Sequence, residues 1–239
     1  MLSRLVSIVL LFISLLHIVI ASKPLAAVCK IVDKFNSGDQ FDNNLIQLMF
    51  LLAIKAPKIG FEIASVGSGQ AKVNGLALCR GDIGSEWCLR CLNKAIFHLQ
   101  SDCQYKKDAI IWFDNCLLRY SNKEFFGEID HNHTMLMRDK SNVVNPIEFD
   151  HKVIELMNKL INKAYISPLL FATGEMEIQR VGRLYGLVQC TKDLSGGECK
   201  TCLKSAISQI PTCCGGKRGG RVLGGSCNVR YELYQFFDY

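Results

Sequence analysis

Apolar residues recur every three or four positions in four stretches of the chain, a spacing that predicts four amphipathic helices. In residues 41–56 they stand at positions 45, 48, 49, 52 and 53. We expect Asp42 or Asn43 to cap the start of this helix and Pro57 to stop it. The other predicted helices are residues 86–99 with Ser85 as their cap, residues 149–164, and residues 195–210, which Pro211 stops.

Short runs rich in β-branched and aromatic residues lie between the predicted helices and indicate strands. Residues 61–67 and 74–79 form one such pair, joined by a Gly-Ser-Gly turn. Residues 108–121 carry the same kind of run on either side of Asp114-Asn115, which indicates a hairpin. Because each half of the chain predicts strand, helix, two strands, helix and two strands, we expect an α+β fold with two helices on one face of an antiparallel sheet.

The cysteines show that the two halves follow one pattern. A C-x8-C-x2-C-x11-C-x12-C frame runs from Cys79 to Cys116 and returns from Cys190 to Cys227 without an insertion or deletion. This period is too long for a solenoid and indicates two tandem domains of about 100 residues. We predict a signal peptide over residues 1–22, a first repeat over 23–127, a connection over 128–133 and a second repeat over 134–239.

The N-terminus predicts export. Arg4 precedes an apolar run, residues 5–20, and small residues follow it, so we expect a secretory signal peptide cleaved near Ala21 or Ser22. A membrane anchor is the alternative, but the run is short for a span of about 20 residues. We expect no later span.

The cysteine count agrees with an oxidising compartment. Twelve cysteines at repeated spacings indicate a disulfide framework. The sequon Asn132-His133-Thr134 lies in the predicted connection, so Asn132 is a candidate glycosylation site on the surface. His131 and His133 are expected to be solvated there.

Little in the sequence predicts catalysis. The net charge of +6 names no partner. Residues 215–225 are glycine-rich and basic but lack the ending of a phosphate-binding loop, so a turn beside an edge strand is the better interpretation. No nucleophile stands beside a base, and we expect neither enzyme activity nor a cofactor, a metal or a nucleic-acid partner.

The repeated cysteine frame, with the phrases NGLALCRGD, NCLLRYSN and GGRVLGGSCNVRYELYQFF, resembles the plant cysteine-rich repeat secretory proteins. Their module, called ginkbilobin-like or stress-antifungal, also forms the ectodomains of cysteine-rich receptor-like kinases and plasmodesmata-located proteins. The resemblance covers the mature chain and implies two helices packed on a five-stranded antiparallel sheet in each repeat.

The resemblance also implies a disulfide pairing. The implied pairing leaves Cys214 without a partner, because Met137 stands where the first repeat has Cys29. Cys213, next to it, is an additional cysteine that the first repeat lacks. A vicinal Cys213–Cys214 bridge and two free or intermolecular thiols are the alternatives. The implied pairs are Cys29–Cys103, Cys79–Cys88, Cys91–Cys116, Cys190–Cys199 and Cys202–Cys227.

One mannose-binding member of this family, from ginkgo seed, uses an Asn just after its first cysteine, an Arg before the last cysteine and a Glu after it. In the first repeat the matching positions are Lys30, Ile110 and Ser121, so all three are lost. In the second repeat they are Arg138, by approximate register, Arg221 and Glu232. An exposed cross-strand ion pair is the simpler interpretation of Arg221 and Glu232.

The resemblance implies a protein secreted to the apoplast that acts as an extracellular interaction module in defence or stress signalling through a protein partner. The alternative is a mannose-type antifungal lectin that binds a cell-wall or fungal glycan through the second repeat. A third possibility is a structural protein without a dedicated ligand.

Overall fold

The computed structural model describes residues 23–31 and 33–237; the predicted signal peptide and its cleavage site near Ala21 or Ser22 lie outside them. The first repeat contains two helices and five strands: β1 Ala26–Cys29, α1 Gln40–Ile59, β2 Phe61–Val66, β3 Val73–Cys79, α2 Ser85–Asp102, β4 Asp108–Trp112 and β5 Cys116–Ser121. Its antiparallel sheet has the order β1-β4-β5-β3-β2.

The second repeat has the same arrangement and one additional short helix. Its elements are β6 Thr134–Arg138, α3 Pro146–Ala164, β7 Phe171–Ile178, β8 Gly182–Cys190, α4 Gly196–Ser208, α5 Ile210–Cys214, β9 Gly219–Gly224 and β10 Cys227–Glu232. The antiparallel sheet order, β6-β9-β10-β8-β7, repeats that of the first sheet. The predicted α+β fold, with two helices on each five-stranded sheet, is therefore confirmed.

The predicted ends of α1 are wrong at both sides. Asp39 is the N-cap, and its side chain accepts a hydrogen bond of 2.9 Å from the backbone N–H of Asp42. Pro57 lies inside the helix, which continues to Ile59. A proline so close to the C-terminus removes a single backbone hydrogen bond, so the helix tolerates it. Gly60 ends the helix at φ +78°, a conformation that glycine adopts without strain.

The starts of α2 and α4 differ. Ser85 is the first residue of α2, and Gly84 is its N-cap, so the predicted Ser85 cap is wrong. In α4 the Ser195 hydroxyl accepts from the backbone of Glu198, whose carboxylate accepts from the backbone of Ser195. Pro211 is the second residue of α5, in the first turn, where its missing N–H costs nothing.

Six disulfides connect the twelve cysteines. In each repeat, two of them join the second helix to the sheet. Cys213 and Cys214 are bonded to each other, so β6 has no covalent tie like the one that holds β1. The pairs are Cys29–Cys103, Cys79–Cys88, Cys91–Cys116, Cys190–Cys199, Cys202–Cys227 and Cys213–Cys214.

The sheet faces that carry no helices meet between the repeats. Trp112 of β4 is buried there, and its indole N–H donates to the backbone oxygen of Gly224 at 3.0 Å. Gln189 of β8 donates to the backbone oxygen of Cys79 at 2.9 Å. Apolar side chains, mostly from the first sheet, pack around these bonds: Phe61, Leu76, Leu78, Ile110, Leu117 and Leu223. The helical layers therefore lie on the two outer sides of the molecule.

Candidate functional site

The residues predicted to bind a sugar lie on neighbouring strands of the second sheet. Met137 of β6 is opposite Arg221 of β9, which is opposite Arg230 of β10. Arg138, Arg221 and Glu232 line one cleft of about 200 Å³ together with Leu25 and Tyr234. Arg221 Nε lies 3.7 Å from Glu232 Oε1. The fold thus brings the three predicted residues together, although their side chains are not free.

Asp114, at the β4–β5 turn of the first repeat, reaches across to this cleft. It accepts a hydrogen bond from Arg221 at 2.5 Å and another from Arg230 at 3.3 Å. Arg80 Nη1 lies 3.9 Å from its second oxygen. Glu232 in turn accepts from Arg230 at 3.0 Å. Arg221 and Glu232 therefore belong to an ion network between the repeats, a different setting from the exposed cross-strand pair that the sequence predicts.

The electrostatics of the network favour its charged form. Partial burial alone would raise the pKa of Asp114, but the charges of Arg221 and Arg230, the hydrogen bond from Arg221 and the charge of Arg80 together lower it. Arg230 is 7% exposed and lies 3.7 Å from the centre of the Phe236 ring. A ligand of the cleft would have to compete with these contacts for the guanidinium groups.

The corresponding positions of the first repeat build no cleft of this kind. Lys30 pairs with Asp108 at 3.2 Å, and Ser121 donates to the same carboxylate at 2.8 Å. Ile110 is fully buried between the repeats. These three side chains have structural roles, in agreement with the loss of the sugar-site pattern from this half.

The connection between the repeats carries a second, buried network. The side chain of Asp130 is 1% exposed and lies 2.7 Å from Arg119 and 2.7 Å from the His133 imidazole. Burial alone would raise the pKa of Asp130, but the His133 hydrogen bond and the Arg119 charge hold it far below its ordinary range. His133 is 2% exposed, so the expectation that it is solvated is wrong. Its neighbour Asn132 is exposed, as a glycosylation acceptor must be.

The outer side of the first repeat exposes several large apolar side chains. Two of them lie at helix ends: Ile59 is the last residue of α1, and Trp87 is in the first turn of α2. The other five are Ile46, 53% exposed, Phe50, 64% exposed, and Ile54, 47% exposed, on α1, with Leu89, 41% exposed, and Phe97, 67% exposed, on α2. We refer to these five residues as the outer apolar face. Large apolar side chains that stay exposed on two neighbouring helices indicate an interaction surface.

The second repeat replaces four of these five residues with polar ones. When Phe41-Asp42 is aligned with Phe149-Asp150, and α2 with α4 by their cysteines, the counterparts are Ile154, Asn158, Asn162, Lys200 and Ser208. On α3, Glu155 bonds Lys152 at 2.9 Å and Lys159 at 2.7 Å. Since both repeats fold in the same way, the fold itself does not require the outer apolar face.

Several of these residues were not predicted from the sequence. Asp114 was interpreted only as part of a turn, and its proximity to Arg221 depends on how the two sheets pack. Phe50 and Ile54 lie in a helix that was predicted correctly. A comparison of its exposed positions with those of α3 would have identified the apolar face.

A family model described as salt stress response/antifungal matches residues 28–123 and 137–234. An antimicrobial ginkbilobin-2-like protein of Castanea crenata is 49% identical over 237 residues, which cover 99% of this chain and 98% of that protein. Cysteine-rich repeat secretory protein 38 of Arabidopsis thaliana is 46% identical over 204 residues, 84% of this chain and 81% of that protein.

Solved structures match the fold. The tandem DUF26 ectodomain of the Arabidopsis thaliana cysteine-rich receptor-like protein PDLP8 superposes with a TM-score of 0.77 at 21% identity, covering 90% of this chain and 100% of that one. The matching ectodomain of PDLP5 gives 0.74 at 24% identity, covering 89% and 100%. The matching family model describes an antifungal-type module and the matching structures are ectodomains, so neither comparison points to an enzyme family. Across residues 23–31 and 33–237, no helix is long and apolar enough to cross a membrane.

Proposed function

Because the chain belongs to the salt stress response/antifungal family, we propose that it is a secreted protein of the plant apoplast that serves as an extracellular interaction module. It acts in defence or stress signalling by binding a protein partner. Relatives named as secretory and antimicrobial proteins, the predicted signal peptide and the six disulfides support this function.

The observation that carries the proposal is the outer apolar face of the first repeat. Its five large side chains are 41–67% exposed, while the second repeat has mostly polar residues at the same positions. Exposed apolar side chains are retained at a cost in solubility, so a protein surface that covers them is the natural explanation. Phe50 and Phe97 are the most exposed of the five, and aromatic anchors of this kind contribute strongly when an interface buries them.

A second candidate function is that of a mannose-type lectin. It is favoured by the cleft in which Arg138, Arg221 and Glu232 meet, since their donors and acceptors suit vicinal hydroxyl groups. Against it, Arg221 already donates to Asp114, and Arg230 already donates to Glu232. A sugar hydroxyl would have to displace the Asp114 carboxylate from Arg221, which exchanges an ion pair for a hydrogen bond with only one charged partner.

One experiment with matched variants distinguishes the two functions. The oxidised protein is immobilised and exposed in parallel to a glycan array that includes mannose and to extracellular fluid of stressed plant tissue. Leu89→Lys with Phe97→Ser introduces the residues that the second repeat tolerates at these positions. Arg221→Ala and Glu232→Ala test the cleft, and Ile166→Asn, at a 71% exposed residue of the second repeat, is the surface control.

For the proposed function, we expect saturable capture of a specific extracellular protein. The double α2 variant, Leu89→Lys with Phe97→Ser, should lose this capture. The two cleft variants and the surface control should keep it. Saturable glycan binding that both cleft variants lose, with the fold intact, would instead establish the lectin. Protein capture that is unchanged in the double α2 variant would refute the role of the outer apolar face.

A further inference from the structure

The exposed side of α1 carries residues in a symmetric order. Asp42, Ile46, Phe50, Ile54 and Lys58 follow one another at a spacing of four, so they lie along one ridge of the helix. The acidic residue is at the start, the basic residue is at the end, and the aromatic residue is at the centre. We call these five residues the α1 stripe.

This order is self-complementary. If a second α1 lies antiparallel across the first with Phe50 at the crossing, Phe50 faces Phe50 and Ile46 faces Ile54. By the same symmetry, Asp42 of each copy faces Lys58 of the other. An isologous two-fold contact has this property, because residue i contacts residue j and residue j contacts residue i.

The charges identify the class of partner. Residues 43–54 contain no charged side chain, although α1 is surface-exposed along this side. Lys58 is exposed and makes no ion pair within the part of the chain that the structure describes. An anionic membrane would attract Lys58 but repel Asp42 at the other end. A second copy offers a carboxylate to Lys58 and an ammonium group to Asp42, whose carboxylate also accepts a hydrogen bond from the Gly38 N–H at 2.8 Å.

The size of the surface fits a weak to moderate dimer. With 20 residues α1 is about 30 Å long, and α1 and α2 side by side, each about 10 Å wide, give an outer face of roughly 600 Å². Standard interfaces bury roughly 800 Å² per partner. Phe97 of α2 extends the apolar area on one side of the stripe.

We propose that the α1 stripe is a homodimer interface, in which a second copy of this chain docks antiparallel across α1 about a two-fold axis near Phe50. This inference rests on the proposed function, since it names a partner for part of the outer apolar face. The α2 residues of that face, Leu89 and Phe97, lie beside the two-fold contact.

Sedimentation of the purified oxidised full chain over a range of concentrations tests the proposal. The wild type should dimerise reversibly. Phe50→Asn, the residue that the second repeat has at this position, should weaken the dimer at least tenfold, and Ile166→Asn should leave its dissociation constant within about twofold. Circular dichroism verifies that each variant is folded.

A charge-reversal experiment then tests the geometry. Lys58→Glu and Asp42→Lys should each be largely monomeric, because each homodimer places like charges opposite one another at both ends. Mixed in equal amounts, the two variants should form a heterodimer, since both end contacts are then attractive. Neither a membrane nor an unrelated partner can produce this rescue.

A wild type that stays monomeric up to about 100 μM overturns the proposal, as does a dimer that Phe50→Asn leaves unchanged or charge variants that do not recover on mixing. These outcomes are separate from those of the proposed function. A monomeric chain can still capture an extracellular protein through Leu89 and Phe97, and a dimeric chain can fail to capture one.

Discussion

The two repeats share a core and differ in their surfaces. Leu48, Met49 and Leu52 of α1 are buried, and so are their counterparts Leu156, Met157 and Leu160 of α3. Two exposed positions beside them differ: Phe50 and Ile54 of α1 correspond to Asn158 and Asn162 of α3. The cysteine frame and the packed helix face are required by the fold, so duplication left the outer side of each copy free to acquire its own role.

The contacts between the repeats show a second asymmetry. Arg119 and Arg230 occupy equivalent positions, but Arg230 is paired with Asp114 at a turn, whereas Arg119 is paired with Asp130 of the connection. Gly225 stands where a second Asp114 would be, and a Cβ there would lie only 2.7 Å from Asp130 Cγ. The connection therefore supplies one of the two acids, and that acid is buried while Asp114 is 52% exposed.

The largest effect is expected at the disulfide that holds β1, because β6 has no such bridge. Cys29→Ala with Cys103→Ala opens a loop with a sequence separation of 74 and should lower the free energy of unfolding by about 4.5 kcal/mol in the loop-entropy model. Cys213→Ala with Cys214→Ala removes a bridge between adjacent residues and should cost under about 1 kcal/mol. Denaturant unfolding monitored by circular dichroism measures both. Similar losses in the two double variants would show that loop closure is not what the first bridge contributes.

The next largest effect is expected at the buried acid. Asp130→Asn leaves Arg119 without its counter-ion and should lower the free energy of unfolding by about 3 kcal/mol, since one partner of a buried pair is removed. The matched change Asp114→Asn concerns a half-exposed carboxylate and should cost about 1 kcal/mol. Equal losses from the two variants would contradict the asymmetry described above.

The pH dependence of stability provides a further test of Asp130. Its pKa is lowered in the folded protein, so its contribution is complete above the ordinary value of about 3.9 and declines as the pH falls toward the folded pKa. Between pH 7 and about pH 4 this contribution should stay constant. Below about pH 4 the free energy of unfolding should fall more steeply for the wild type than for Asp130→Asn. The same pH dependence in both proteins would contradict the stabilising role of the Asp130 carboxylate.

The sequence predicts the local elements and the repeat better than the contacts between repeats. Helix α1 follows from its apolar spacing, but the spacing does not show that the helix continues past Pro57, which is tolerated because the helix ends two residues later at Ile59. The burial of His133 depends on Asp130 and on Arg119, which come together only when the connection packs against the first sheet. The family pattern points to Arg221 and Glu232. It does not point to Asp114, because this residue belongs to the other repeat and reaches Arg221 only when the two sheets pack.

The smallest effect on stability is expected at exposed positions of the equivalent helices α1 and α3. Phe50→Asn with Ile54→Asn should change the free energy of unfolding by less than about 1 kcal/mol, because both side chains are half-exposed and leave the core intact. Asn158→Phe with Asn162→Ile makes the reciprocal change on α3 and should likewise alter stability little. Unfolding is measured at low protein concentration, where self-association contributes nothing to apparent stability.

Association should respond in opposite directions in these two variants. Light scattering should show less self-association for the α1 variant and more for the α3 variant, whose second repeat then carries an apolar stripe of its own. If the α1 variant instead loses several kcal/mol, Phe50 and Ile54 support the first repeat's own packing. In that case their exposure is a by-product of folding, and the difference between the repeats reflects internal stability and not a surface kept for a partner.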